Sequence, residues 1–266
     1  MLFVCIGSVS ALENQTDEIS ENEVISVSES PEILTANEGT YTDLAAKIDD
    51  AIANNDSVLY LPYDFMYNDE IDHEYNQYIF PDHTYYGILI NKTLTINGNN
   101  HAISGSNVAR IFTINATDGI VTFNNITFKD SIGAVRTDTD LSINDCNFIN
   151  NTKENVWTDW SAIQSSGGKL TITNSTFVNN TSIKGGAIFV SGAESTTITG
   201  SVFTKNTAVG YGETVGTGGA IYANKGHKLN IHNCIFTDNT AIGNTDPSFA
   251  VISRSEERRV GKECRS

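Results

Sequence analysis

Basic residues are scarce in this chain: 16 Lys and Arg stand against 32 Asp and Glu, a net charge of −16. That balance excludes a nucleic-acid binder, because contacts to phosphate need a basic footprint. An acidic extracellular protein fits it. Long apolar runs are missing too. No stretch reaches the roughly 20 apolar residues that a membrane-spanning helix needs. The sequence given therefore offers no membrane-spanning helix, and any anchor would belong to a part outside it. Cysteine is limited to four positions, 5, 146, 234 and 264. What the chain has in quantity is a repeated phrase.

Residues 170–181 read Leu-Thr-Ile-Thr-Asn-Ser-Thr-Phe-Val-Asn-Asn-Thr. Residues 141–152 read Leu-Ser-Ile-Asn-Asp-Cys-Asn-Phe-Ile-Asn-Asn-Thr, and 229–240 read Leu-Asn-Ile-His-Asn-Cys-Ile-Phe-Thr-Asp-Asn-Thr. Fainter copies run over 196–207 and 121–132. A repeat of this length signals a stacked architecture. Aligned on Phe128, Phe148, Phe177, Phe203 and Phe236, the copies carry apolar residues seven and five positions earlier with polar residues between. That period of two makes each copy a strand. A second short strand holds the Phe. The gaps between Phe anchors vary, which suits a coil whose turns accept insertions. One coil cannot bury its own apolar face, but stacked coils can, by piling equal ranks into ladders. Asn151, Asn180, Asn206 and Asn239, three positions after Phe, form the expected polar ladder.

Cys146 and Cys234 hold one rank, two before Phe, on coils three apart. At about 4.8 Å per coil they lie roughly 14 Å from each other. A disulfide needs Cα atoms within about 7 Å, so both are expected as free buried thiols equivalent to Ser175 and Ser201. Between repeats stands a second word, Gly185-Gly186-Ala187-Ile188 and Gly218-Gly219-Ala220-Ile221, echoed by 133–135 and 161–163. It reads as a sharp turn followed by another strand.

The Phe-x-x-Asn and Gly-Gly-Ala-Ile words resemble the repeats of chlamydial polymorphic outer-membrane proteins. The layout of residues 39–243 resembles the adhesin-like surface proteins of methanogenic archaea. Segments 39–61, 87–105 and 110–114 match the opening part of that second family. The resemblance implies an all-β chain, a right-handed parallel β-helix of the pectin lyase-like kind. It also implies display on the cell surface.

Along the chain, residues 1–11 form a short apolar run ending in Val9-Ser10-Ala11 and read as the remnant of a signal peptide. Residues 12–38 contain no Lys or Arg and read as an acidic disordered spacer. Residues 39–86 are expected to form an N-terminal cap with a Tyr-rich insertion. Thr40 to Asp43 is a capping-box pattern, and Leu44, Ile48, Ala51 and Ile52 follow at helical spacing. Such a helix, with the strand beginning at Val58, would cover the open end of the stack. Residues 60–86 hold seven of the ten Tyr. Residues 87–253 are the coils, read as C-terminally truncated. Residues 254–266 hold five of the 16 basic residues and break the pattern, so they read as a non-native tail.

Chemistry on such a fold needs acids or bases gathered on neighbouring coils. Glycosidase carboxyl pairs stand about 5 Å apart for retention and roughly 6.5–9.5 Å for inversion. In the aligned ranks the acids are Asp130, Asp145 and Asp238, and no two of them stack on adjacent coils. No catalytic residue is assigned, no cofactor is called for, and no metal signature is found. The ligand-binding candidates are Trp157, Trp160 and Asp159 in an inter-coil insertion, with Tyr75 and Tyr78 of the Tyr-rich segment. Exposed aromatic rings there would stack on a sugar or anchor an interface. The runner-up polar cluster is Arg136, Asp138 and Asp140. The expected protein is a secreted, surface-displayed adhesin binding glycans or surface proteins of other cells, or its own envelope. A polysaccharide lyase or glycoside hydrolase of the same fold is the alternative, and a stalk without a binding site is the third.

Overall fold

Three polar–apolar alternations per repeat give three strands per turn of chain, and the strands stack in parallel. The computed structural model describes residues 38–76, 87–152, 161–210, 216–224, 227–243, 252–254 and 258–259. The Leu-x-Ile strands form a seven-stranded sheet, from Val58–Tyr60 through Thr95–Asn97, Val121–Asn124, Leu141–Asn144, Lys169–Thr173 and Ser195–Thr199 to Lys228–His232. The Phe strands form a second sheet, from Phe65–Met66 to Ile235–Thr237, and the Ala-Ile strands a third, from Ile88–Ile90 to Ile221–Ala223. A fourth, short sheet begins with Thr181–Ser182, Thr207–Val209 and Thr240–Ile242. Neighbours in each sheet are successive coils of the chain. The architecture is a parallel β-helix. Two C-terminal strands differ in direction: Ile252–Arg254 and Arg258–Arg259 pair antiparallel on the fourth and Phe sheets.

The register is the one the repeats dictate. Leu141 pairs with Leu170 and with Val121, Ile143 with Ile172 and with Phe123, and Phe148 with Phe177 and with Phe128. Strand alternation turns these residues inward together. Phe128, Phe148, Phe177, Phe203 and Phe236 make one column with centroid spacings of 4.8, 4.8, 4.6 and 4.7 Å. Burying each ring contributes on the order of 2–3 kcal/mol. The turns explain the rest of the phrase. Three before Phe, Asn125, Asp145, Asn174, Gly200 and Asn233 all have φ between 50° and 64°. Two after Phe, Asp130, Asn150, Asn179, Lys205 and Asp238 have φ between 48° and 56°. Asn, Asp and Gly tolerate this left-handed backbone, which selects them at both corners.

The cap is a helix at Tyr41–Ala53. Thr40 Oγ1 accepts from the Asp43 N–H while an Asp43 carboxylate oxygen accepts from the Thr40 N–H, a complete capping box. Its Tyr41, Leu44, Ile48 and Ala51 are buried in the same core as Leu61, Ile88 and Ile96. The coil begins earlier than residue 87. Val58–Tyr60 and Phe65–Met66 already pair with the next coil, so the Tyr-rich stretch is an insertion inside the first turn. Residues 1–37, Tyr78, Trp157, Asp159, Trp160 and most of the tail lie outside the described residues.

Candidate functional site

Two corners of the coil behave differently. From the Leu-x-Ile strand to the Phe strand, five coils use two residues, as at 125–126 and 145–146. From the Phe strand to the Ala-Ile strand, the chain spends 67–87, 105–111, 130–134, 150–162, 179–187 and 205–220. The variation in length is concentrated at this second corner. Both the Tyr-rich segment and the Trp-bearing insertion leave from it.

The Ala-Ile sheet receives the chain from that corner. Its strands bury Val135, Thr137, Ile163, Ser165, Ile188 and Val190 inward. The residue between each inward pair turns outward. Register then aligns Thr113, Arg136, Gln164, Phe189 and Tyr222 in one column on the outer side of the sheet, in which Arg136, Gln164 and Tyr222 are partly exposed and Thr113 and Phe189 are covered. Phe189 and Tyr222 rings meet at 5.6 Å, and Lys184 Nζ lies 5.8 Å from the Phe189 centroid. The segment 153–160 rejoins the described chain at Ser161, two residues before the Gln164 strand. Ser161 Oγ donates to the Lys184 carbonyl at 2.7 Å, fixing the foot of the insertion. The strand that follows residues 153–160 in the chain therefore lies beside the strand of Arg136, because Gln164 pairs with Arg136.

Where the Arg136 strand leaves the sheet, the turn 138–140 borders an open groove of about 380 Å³, with Thr117 and Gly119 of the preceding coil and Gly168 of the following one. Arg136 Nη2 donates to Asp138 Oδ2 at 3.5 Å, with both side chains about a third exposed. Asp140 Oδ1 accepts from the Lys169 N–H at 2.8 Å, tying its turn to the next coil. The buried Arg136 Nε and Thr139 Oγ1 have no hydrogen-bond partner among the described residues. One coil earlier, Asp118 accepts from the Thr93 N–H and hydroxyl. Partial burial opposes its ionisation, but these bonds hold its carboxyl below the usual range. The polar residues lining the groove are Asp138, Asp140, Thr117 and Thr139, so it offers carboxylate oxygens and hydroxyls, with the Arg136 guanidinium held beside it by Asp138.

Tyr75 sits elsewhere. It lies in the short helix His73–Asn76, edge-on to Tyr41 at 6.2 Å, and its carbonyl accepts from Gly87 N–H. Desolvation, followed by the Glu74 carboxylate, raises its hydroxyl pKa. It packs against the cap, at the head of the strand two places below that of Arg136. The ladder residues Asn151, Asn180, Asn206 and Asn239 are buried in the stack. Asp130 and Asp238 stand four strands apart in the Phe sheet, roughly 19 Å. No group of three or more His, Cys, Asp or Glu is placed to hold a metal ion among the described residues. No helix among them is long and apolar enough to cross a membrane, which says nothing of β-barrels.

Gln164, Phe189 and Tyr222 were not singled out by sequence reasoning. Their signal was present, since each directly follows an Ala-Ile word, the first outward position of its strand. In comparison with known proteins, no family model matches the chain, and neither does any curated protein or any solved structure.

Proposed function

We propose that this chain is an adhesin-like protein, secreted and displayed at a cell surface, which binds glycans on partner cells or on its own envelope through the outward face of the Ala-Ile sheet and the insertions beside it. One observation carries the reading. Length variation is concentrated at a single corner of a regular stack, and that corner feeds the face on which Arg136, Gln164, Phe189 and Tyr222 align. Rigid scaffolds that carry variable loops on one side are built for recognition. An accessible Tyr222 ring, backed by the buried Phe189 and in one column with an amide and a guanidinium, suits sugar rings and their hydroxyls. The resemblance to adhesin-like surface proteins of methanogenic archaea and to polymorphic outer-membrane protein repeats points the same way. A polysaccharide-cleaving enzyme is the second reading, favoured by the Asp138 and Asp140 carboxylates along the groove.

A glycan array probed with the full chain, with products of every hit analysed for cleavage, tests both. Retention without cleavage is expected, falling at least about tenfold in Tyr222→Ala and in Trp157→Ala or Trp160→Ala. Cleavage products would replace adhesion by catalysis. Retention unchanged in all three variants would remove the site from this face.

A further inference from the structure

We infer, resting on that reading, that the glycan taken at the groove beside this face is uncharged and is read through its hydroxyl groups. No Lys or Arg lines the groove itself, and the three described cations beside its lining residues each stand near a carboxylate: Lys92 3.8 Å from Asp118, Arg136 3.5 Å from Asp138, and Lys169 3.9 Å from Glu194. Asp140 adds a fourth carboxylate to three cations, so the groove and its rim carry an excess of negative charge. That excess sits in the field of a chain with net charge −16. A uronate or sulfated sugar entering here meets like charge at short range and again over the whole surface. It also has to compete with Asp138 for the guanidinium of Arg136.

A neutral sugar meets the opposite situation. Carboxylate oxygens are strong acceptors for hydroxyl donors, and such charge-assisted bonds are about twice as strong as neutral ones. Asp138 holds Arg136 through one long contact, which leaves the pair able to accept and donate to neighbouring hydroxyls at once. Thr139 Oγ1, buried without a partner, borders the same groove. Three strands up the column, roughly 14 Å away, the half-buried Tyr222 ring beside Phe189 supplies an apolar surface for the C–H face of a further sugar unit.

The test uses the full chain on array pairs that share a backbone and differ only in a carboxylate or sulfate, at low and at high salt. The neutral member of each bound pair is expected to be retained at least about tenfold better, a difference near 1.4 kcal/mol. Its retention should stay level as salt rises, while the discrimination shrinks through screening. Asp138→Asn frees Arg136 at an exposed position. It should weaken the neutral member several-fold and strengthen the charged one, with thermal unfolding unchanged. Equal retention of both members, or preference for the charged one that salt abolishes, overturns the inference while leaving glycan binding intact. A blank array over all pairs overturns the adhesin reading and this inference together.

Discussion

The side-chain amide of Asn180 makes a closed set of bonds inside the stack. Its Oδ1 accepts from the N–H and Nδ2 of Asn151, one coil before. Its Nδ2 donates to Asn206 Oδ1 at 2.8 Å and to the Phe148 carbonyl at 3.0 Å. Asn151 and Asn206 repeat the pattern, Asn239 reaches back to the Phe203 carbonyl, and Ser131 Oγ closes the lower end on Asn151 Oδ1 at 2.6 Å. Asn180→Leu strands donors and acceptors that water cannot reach. It is expected to cost on the order of 3 kcal/mol in urea unfolding. Asn147→Thr, outward on the neighbouring Phe strand, should stay within about 0.5 kcal/mol. A loss for Asn180→Leu no larger than that of the control would refute a buried ladder. The ladder was legible in the sequence because its rank is kept in four copies. The left-handed ranks beside it were not read, although Asn, Asp and Gly fill nine of their ten places in the five coils aligned on Phe. Lys205 is the exception. Cys146 and Cys234 are free and buried, and burial pushes the Cys146 thiol up to about 12. Each thiol takes the place of the Ser175 and Ser201 hydroxyls and donates to the carbonyl two residues before it.

Among the elements, the cap helix shows how local and distant capping combine. Its capping box is local and was readable three residues apart. Asp43 is held below the ordinary carboxylate range by the Thr40 backbone N–H first and the Thr40 hydroxyl second. A depressed pKa means this bond stabilises above the ordinary range, near pH 4, and the contribution is lost as pH falls through the lower folded value. The distant partner is Asp72. It is fully buried and accepts from the N–H groups of Tyr41, Thr42 and Asn68 and from the Thr42 hydroxyl. It thus satisfies two first-turn donors that the helix itself cannot. Asp72→Ala should cost about 3 kcal/mol of stability, because three backbone donors lose their partner. Thr40→Ala should cost only about 1 kcal/mol. Equal losses in urea melts would contradict the assignment. The helix is legible in the sequence and the role of Asp72 is not, since nothing local marks a carboxylate 31 positions from Tyr41 as a cap.

At the scale of the whole molecule, the stack is one-dimensional: each coil meets only its neighbours, the cap meets the first, and two short antiparallel strands meet the last. Position in the stack therefore sets the cost of a lost ring. Phe177 is sandwiched between Phe148 and Phe203, while Phe236 has Phe203 on one side and is only half-buried. Phe177→Ala should cost about 4 kcal/mol, and Phe236→Ala about half of that. Amide exchange is expected to be fastest in the last coil and slowest at the centre. Equal losses for the two substitutions would show that the ends are supported as well as the middle.

The sequence by itself determined the fold, because the information is local and repeated. Alternation makes each strand, left-handed turns demand Asn, Asp or Gly at two corners, and equal ranks have equal lengths of chain to stack with. A capping box needs only four consecutive residues, so the cap was determined as well. The tertiary structure decided what faces outward together. Arg136, Gln164, Phe189 and Tyr222 are 25 to 33 residues apart in steps along the chain, and only parallel register turns those separations into neighbouring places on one sheet. It also decided that Asp72 closes the helix and that both long insertions leave one corner. Those facts depend on coil-to-coil pairing, which no single repeat contains.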